Sequence, residues 1–448
     1  MQYNYKYRLN PPEALTETLL HHVDTCRQLY NHVLYLLNEA DDIPARYEVQ
    51  GRLPDLKTWW DDLSNVHSKV LQMVVKRVYD NLSTLKAQKE NGRAVGMLKW
   101  KPPREYRSLT YNQSGFKLKN TSGRPVLWVS KIGEIPIYLH RDIPENATIK
   151  QVTVKQEPTG EWYATFGIDV EEATPEKPET PEKVVGIDVG ILKYAHDTDG
   201  YAIESPDFSE ERERLERAQR DLSKKEHGSN NWEKQRKVVA ERHAELKRKR
   251  RDFLHKLSSY YAREYDLVAV EDLDAKGLVE LPGNSRNRAG ASWGTFLRML
   301  EYKCKREGTH FVAVDPRGTT KECASCGTET DKPLWVREHS CPSCGFEADR
   351  DANASWNILS RGLNKVGVGH SKSTSSESLH DSDGLRKSRS DFRTPVETAL
   401  PTGTHSVPAK RVLEAGSPIC SRARSARSHG QRDRRSRATL KREPSGER

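Results

Sequence analysis

Two closely spaced pairs of cysteines constrain this sequence more than any other feature. They read Cys323-Ala-Ser-Cys326 and Cys341-Pro-Ser-Cys344, and fourteen residues separate the two pairs. Four thiolates at this spacing can close a tetrahedral shell around one zinc ion. Four cysteine ligands leave no coordination position open to a substrate, so the sequence predicts a structural zinc site. The alternative is a set of four buried or redox-active thiols, which the paired spacing does not favour.

The other cysteines and the composition bound the class of protein. The 448 residues contain seven cysteines, an odd and sparse set that excludes a disulfide framework. Hydrophobic residues make up 35%, which is low for a compact globule, and the length suits two or three domains. No apolar run approaches the roughly 18 residues of a membrane span, and the N-terminus lacks the apolar core of a signal peptide. We therefore expect a cytoplasmic protein with no membrane partner.

Positive charge is concentrated in the last part of the chain. The formal net charge is +10, and residues 365–448 contribute +9 of it, with 18 basic and 9 acidic residues. The same segment is rich in Ser, Arg, Thr, Gly and Pro and has no apolar periodicity. It is predicted to be a disordered basic tail that adds nothing to a core and either stays solvated or contacts phosphates. Any polyanion site in the rest of the chain must then be a local patch.

Apolar spacing predicts helical and strand segments in alternation. Helical spacing covers residues 11–95, strand alternation covers 125–171, and a Pro/Glu linker at 172–183 indicates a domain boundary. A long charged helical hairpin is predicted over 208–263, with a break near residues 227–229. Strands that alternate with helices in this way indicate a mixed α/β core.

Acidic residues follow the predicted strands of this core. Asp188 and Glu271 each end a short apolar run, and carboxylates at the C-terminal ends of strands lie at the sheet rim where α/β active sites form. Asp315 ends a third run, but the proline after it indicates a turn, so we interpret Asp315 as structural. Asp351 begins a predicted helix, where an N-cap role and metal ligation are compatible. Asn353 belongs to the same region and is a candidate supporting residue.

A basic stretch lies between the first two acidic motifs. Residues 234–256 hold ten Lys and Arg and three acidic residues. A charge run usually forms a solvated face, but this bias in sign favours phosphate contact. The candidate nucleic-acid contacts are Lys247, Arg248, Lys249, Arg250 and Arg251.

In their order along the chain, these motifs resemble the TnpB (OrfB) proteins of insertion sequences, which are compact relatives of the type V CRISPR effectors. The resemblance covers about residues 3–362 and rests on VVGIDVG, VAVEDL, ASWGTFLRMLEYKCKREG, CASCG and CPSCGFEADRDANASWNI. Two departures are visible, since Ser355 replaces a second alanine and GTTKEC replaces the commoner Thr-Ser-Gln/Lys form.

The resemblance implies an α/β fold with a ribonuclease H-like (RuvC) nuclease core, an inserted zinc ribbon and a preceding β-barrel wedge domain with a helical insert. The implied domains are a wedge at 1–10 and 125–175, a helical recognition insert at 11–124, a nuclease core at 184–320 and 348–362, and a zinc ribbon at 321–347. It implies that Asp188, Glu271 and Asp351 are the catalytic carboxylates.

Such a site would hydrolyse phosphodiester bonds with two metal ions about 4 Å apart. Hard carboxylate oxygens suit Mg²⁺ or Mn²⁺ rather than zinc. The resemblance also implies DNA as substrate and a guide RNA from the transposon end, with base pairing reading the sequence. A protein with this function would be associated with the nucleoid when it is bound to DNA. Two alternatives stay open, a transposase that performs strand transfer and a non-catalytic nucleic-acid-binding regulator. The sequence does not indicate the oligomeric state.

Overall fold

The computed structural model describes residues 2–171, 174–280, 289–333, 335–367, 405–409 and 412. The chain divides into two compact units, the first formed by residues 1–173 and 211–245 and the second by 174–210 and 246–448. Within the described ranges, no helix combines the length and the apolar character needed to cross a bilayer.

The first unit contains an antiparallel sheet of seven strands. In chain order the strands are β1 (Gln2–Leu9), β2 (Ser108–Asn112), β3 (Phe116–Thr121), β4 (Arg124–Val129), β5 (Gly133–Tyr138), β6 (Ala147–Gln156) and β7 (Trp162–Val170). Their order in the sheet is β2-β6-β7-β1-β5-β4-β3. Side chains of β7 alternate between buried and half-buried, as a strand with one core face requires.

Two expectations for this unit are corrected. Because β2 and β3 are the two ends of the described sheet, it is an open half-barrel and not a closed barrel. The segment expected to be a helical insert, residues 11–124, also contains the strands β2 and β3. Both strands are short and one is mostly exposed, so their alternation is a weak signal in the sequence.

The helices of the first unit are α1 (Glu13–Glu39), α2 (Arg46–Gly51), α3 (Leu53–Trp59), α4 (Asp62–Asn65) and α5 (Ser68–Glu90). The long helices α1 and α5 bury apolar residues at helical spacing, such as Leu19, Val23, Val33 and Leu37 on α1. These side chains join the apolar face of the sheet in one core.

The second unit is built on a mixed six-stranded sheet. Its strands are β8 (Val184–Val189), β9 (Lys193–Asp197), β10 (Tyr201–Glu204), β11 (Leu267–Glu271), β12 (His310–Val314) and β15 (His405–Val407), and a separate hairpin pairs β13 (Glu338–Ser340) with β14 (Glu347–Asp349). The sheet order is β12-β11-β8-β9-β10-β15. The strands β8, β9 and β10 form an antiparallel meander, whereas β11 runs parallel to β8 and β12 parallel to β11.

The helices that follow β10 along the chain are α6 (Ser209–Ser223), α7 (Asn230–Glu264), α8 (Ala275–Glu280), α9 (Trp293–Glu307) and α10 (Arg350–Val366). Of these, α7, α9 and α10 bury side chains against the six-stranded sheet. Phe253 of α7 and Phe296 of α9 pack in one core cluster, and Ile358 of α10 packs in another with Ala269 of β11. Every residue of β11 is buried, as a strand covered on both faces must be. The α/β expectation is confirmed, and so is the helical hairpin, whose helices α6 and α7 are separated at residues 224–229.

One part of the predicted tail is ordered. Strand β15 pairs in parallel with β10, and Val407, Ala409 and Val412 are buried in the core of the second unit. The expectation that residues 365–448 add nothing to a core is therefore wrong for this segment. A single three-residue strand is too short to show periodicity, and its partner β10 lies some 200 residues earlier in the chain. The rest of the predicted tail after residue 367 lies outside the described residues.

Candidate active site and metal centre

Asp188 and Glu271 lie side by side on neighbouring parallel strands. Ile187 of β8 is in register with Val270 of β11, and the two carboxylates are the next residue along each strand. Adjacent positions in a parallel pair face the same side of the sheet. The two acidic residues that the sequence analysis placed at strand ends therefore lie together at one rim.

Close packing of α10 brings Asp351 to the same face. A Cβ atom on Gly186 would lie 2.2 Å from the backbone oxygen of Ser355, and one on Gly362 would lie 2.5 Å from the Cβ of Ala269. The helix therefore rests almost directly on the backbone of the sheet. Asp351 lies in its first turn, above the strand ends.

The electrostatics of this region reflect a concentration of negative charge. Burial raises the pKa of Asp188 well above its usual range, and the nearby charges of Glu271 and Asp351 raise it further. Burial also raises the pKa of Glu271, although Thr319 opposes this by donating a hydrogen bond to its Oε1 at 2.6 Å. Arg337 forms an ion pair with Asp351 and offsets part of the charge.

Two neighbouring acidic residues have structural roles. Asp349 is the N-cap of α10, because its Oδ1 accepts hydrogen bonds from the backbone amides of Asp351 (2.8 Å) and Ala352 (3.3 Å). Since Asp349 caps the helix, the carboxylate of Asp351 is not needed for that purpose. Asp315 accepts a hydrogen bond from the Arg317 amide at 3.0 Å, as expected of a turn residue.

Sequence reasoning missed His196. It is in register with Asp188 on β9, it is buried, and neither ring nitrogen has a hydrogen-bond partner among the described residues. Burial lowers its pKa, which favours the neutral ring. The strand register shows that His196 lies beside Asp188, whereas the two residues are eight positions apart in the sequence and share no local motif.

The four cysteines of the two pairs converge as the sequence analysis expected. Their sulfur atoms all lie within 4.8 Å of one another, with Cys323 3.8 Å from Cys344 and Cys326 3.5 Å from Cys341. A tetrahedron with Zn–S bonds of about 2.3 Å has edges of about 3.8 Å, so the cluster fits a structural zinc site.

Both cysteine pairs have the same backbone geometry. The amide of Gly327 donates to the carbonyl of Cys323 at 2.8 Å, and that of Gly345 to Cys341 at 2.9 Å. Both glycines have positive φ angles, 77° and 71°, which side chains other than glycine rarely adopt. The second pair forms the turn of the β13–β14 hairpin, which leads directly into α10.

The basic residues predicted to contact nucleic acid lie together on α7. Lys247, Arg248, Lys249 and Arg251 are exposed, and Arg250 is half-buried. All five belong to the part of α7 that is counted in the second unit.

Comparisons with known proteins cover most of the chain. Family profiles described as "Probable transposase", "Cas12f1-like, TNB domain" and "Helix-turn-helix domain" match residues 167–281, 293–358 and 1–40. A Streptomyces pristinaespiralis protein named "Putative RNA-guided DNA endonuclease" is 32% identical over 406 residues, which cover 87% of this chain and 93% of that one. The chain belongs to the TnpB (OrfB) family.

A second relative of this TnpB-family chain is "Putative RNA-guided DNA endonuclease InsQ" of Escherichia coli (strain K12). It is 29% identical over 384 residues, which cover 80% of this chain and 92% of that one. The fold also resembles the solved "Cryo-EM structure of the Cas12f1-sgRNA-target DNA complex", with a TM-score of 0.55 and 16% identity over 78% of this chain and 83% of that one. The TnpB-family chain therefore has a fold similar to that of a compact type V effector.

The matched ranges can be compared with the local structure. The first two profiles together include the three carboxylates and all four clustered cysteines. The third profile describes a helix-turn-helix domain, but residues 1–40 of this chain form strand β1 and the single long helix α1. Ser355, which the sequence analysis noted as a departure from the family pattern, is buried and satisfies its hydroxyl by donating to the Ala352 carbonyl at 2.8 Å.

Proposed function

We propose that this chain is a transposon-encoded, RNA-guided DNA endonuclease that cleaves phosphodiester bonds at a ribonuclease H-like (RuvC) core. The observation that carries the proposal is the arrangement of Asp188, Glu271 and Asp351 on one rim of the mixed sheet. The names of the two relatives, which describe RNA-guided DNA endonucleases, support the same activity.

The three carboxylates fit Mg²⁺ or Mn²⁺. The donor set consists of hard oxygen atoms, and the raised pKa of Asp188 reflects its burial and the negative charge of Glu271 and Asp351, both of which a divalent cation would compensate. Asp188, Glu271 and Asp351 would hold the metal, with Thr319 fixing the orientation of Glu271. When bound, two such ions supply an activated water and stabilise the leaving oxygen.

The remaining parts of the chain have complementary roles in this proposal. The half-barrel of β1–β7 acts as the wedge, the helices between β1 and β2 form the recognition insert, and residues 321–347 form the zinc ribbon. The basic residues 247–251 on α7 contact nucleic-acid phosphates, giving affinity with a steep salt dependence. The guide RNA comes from the transposon end and selects the DNA target by base pairing.

Exchange of the guide tests this function. The protein is expressed with its flanking DNA, the bound RNA is isolated, and the variable end of that RNA is replaced. We expect Mg²⁺-dependent cleavage to move to the newly matched DNA. Cutting that ignores the RNA and follows the element ends would instead establish a transposase, and binding without any cleavage would establish a regulator.

A further inference from the structure

The first unit has a surface groove rich in aromatic residues, which we call the tryptophan groove. It has a volume of about 540 Å³, and its lining includes His32 and Tyr35 of α1, Trp59 and Trp60 around the end of α3, and Trp100. The rings of Trp59 and Trp60 are stacked, with centroids 5.9 Å apart and planes at 24°. His32 meets both rings edge-on, at 6.2 and 6.0 Å.

Several of these rings are open to solvent. Trp59 is 64% exposed, Trp100 is 57% exposed and Tyr35 is 47% exposed. Exposed apolar rings are common singly, but their collection in one groove indicates a binding surface. None of them belongs to the carboxylate or cysteine clusters of the second unit.

The wall that carries Trp100 is held in place. The side chain of Asn31 on α1 forms two hydrogen bonds to the backbone of Lys101, accepting from its amide at 2.8 Å and donating to its carbonyl at 3.0 Å. Arg27 donates to the same carbonyl at 3.4 Å. The groove is therefore formed before a ligand arrives, which lowers the entropic cost of binding.

The charge around the groove favours a polyanion. Lys99 and Lys101 flank Trp100 directly, and residues 93–104 contain no acidic residue. The guanidinium of Arg27, which also lines the groove, is oriented by a 2.7 Å ion pair with Asp24. Aromatic platforms beside basic side chains are typical of proteins that bind single-stranded nucleic acid by base stacking.

We propose that the tryptophan groove binds an unpaired base of the RNA that the protein carries, with the base stacked on an exposed tryptophan ring. RNA is favoured over DNA because loops and ends of RNA present unstacked bases, whereas the bases of duplex DNA are already stacked. The identity of the RNA as a guide rests on the proposed function. Binding of an unpaired RNA base does not require cleavage, so the two can be tested separately.

Fluorescence titration of the full chain, freed of RNA by a high-salt wash, provides the test. The probes are an eight-nucleotide single-stranded RNA, its DNA counterpart and the same RNA in a duplex. We expect the single-stranded RNA to quench tryptophan emission and to bind more tightly than the other two. Trp59→Ala and Trp100→Ala should each lower its affinity by about 5- to 150-fold.

A matched control and a conservative variant complete the design. Trp335→Ala removes an 81% exposed tryptophan of the second unit and should leave the affinity unchanged. Trp59→Phe keeps an aromatic face and should retain most of the affinity, which guards against a folding defect in the alanine variant. Unchanged affinity in both groove variants, equal loss in the Trp335 variant, or tighter binding of the DNA strand would overturn the proposal. Guided cleavage could survive any of these results, so failure here would not remove the proposed function.

Discussion

The side chain of Asn353 on α10 holds the backbone of Ala324, which lies inside the first cysteine pair. Its Oδ1 accepts a hydrogen bond from the Ala324 amide at 2.9 Å, and its Nδ2 donates to the Glu322 carbonyl at 2.8 Å. Asn353 is fully buried and lies two residues after Asp351. The Asn353 amide therefore connects the first cysteine pair to the helix that presents a candidate catalytic carboxylate, and Asn357 of the same helix adds hydrogen bonds to the carbonyls of Thr319 and Glu322.

Asn353→Ala should weaken this connection. Loss of the side-chain amide leaves the Ala324 backbone amide without its partner, which costs about 1–3 kcal/mol for a buried group, whereas the Glu322 carbonyl still accepts a hydrogen bond from Asn357 at 2.6 Å. We expect a lower melting temperature, faster loss of zinc to a chelator and reduced cleavage. Asn364→Ala, at an exposed position on the last turn of the same helix, is the control. Identical zinc release from both variants would contradict the structural role of Asn353.

Neutral replacements of the three carboxylates should separate binding from chemistry. Asp188→Asn, Glu271→Gln and Asp351→Asn should each lower Mg²⁺-dependent cleavage by about a thousandfold or more while nucleic-acid binding stays intact. Without metal, Asp188→Asn should raise the melting temperature because it removes the cost of burying a carboxylate and, in addition, the repulsion from Glu271 and Asp351. Asp315→Asn, at the exposed end of β12, is the matched control and should cleave normally. Normal cleavage by any of the three variants would exclude that residue from the metal site.

Elemental analysis of the purified protein should find about one zinc per chain. Cys341→Ser removes one of the four clustered thiolates and should abolish zinc binding, loosen the start of α10 and reduce cleavage. Cys26→Ala, in the buried part of α1, should keep its zinc. A wild-type protein without zinc would rule out the metal assignment.

Asp197 should make stability depend on pH. This carboxyl is buried at the end of β9, where Tyr261 donates a hydrogen bond to it at 3.0 Å, and burial raises its pKa to about 7. An aspartate in the unfolded chain has a pKa of about 3.9. Between this pKa and that of the folded state, the folded chain keeps a proton that the unfolded chain has released. The free energy of unfolding should therefore fall as pH rises through this window, by at most about 1.4 kcal/mol per pH unit from this group.

Urea unfolding of the metal-free protein at several pH values measures this slope. Asp197→Asn cannot release the proton and should show a flatter dependence, with its largest advantage over the wild type above about pH 7. Equal slopes for the two proteins would mean that Asp197 does not titrate in this window.

Two shortened chains test the ordered part of the tail. A chain that ends at residue 404 loses β15 and the buried Val407, Ala409 and Val412, and its melting temperature should fall by several degrees. A chain that ends at residue 412 keeps them but loses ten basic and four acidic residues. It should melt like the wild type and bind nucleic acid with a weaker salt dependence. Equal melting temperatures for the two chains would show that β15 contributes no stability.

Residues whose signals are local could be identified from the amino-acid sequence. The two cysteine pairs, the acidic residues at strand ends and the break in the helical hairpin each depend on residues close together in the chain, so spacing and periodicity reveal them. The order of these motifs also determined the family. The short strands β2 and β3 were not predicted, because their alternating signal is weak and lies within a segment assigned to helices.

Features that depend on strand register and long-range packing became visible in the folded chain. His196 lies beside Asp188 because of one antiparallel register, and Asp351 reaches the rim because Gly186 and Gly362 let α10 lie against the sheet. Strand β15 joins the second sheet through pairing with a strand some 200 residues away. Such contacts are stabilised by backbone hydrogen bonds and burial that many sequences can supply, so no short pattern encodes them.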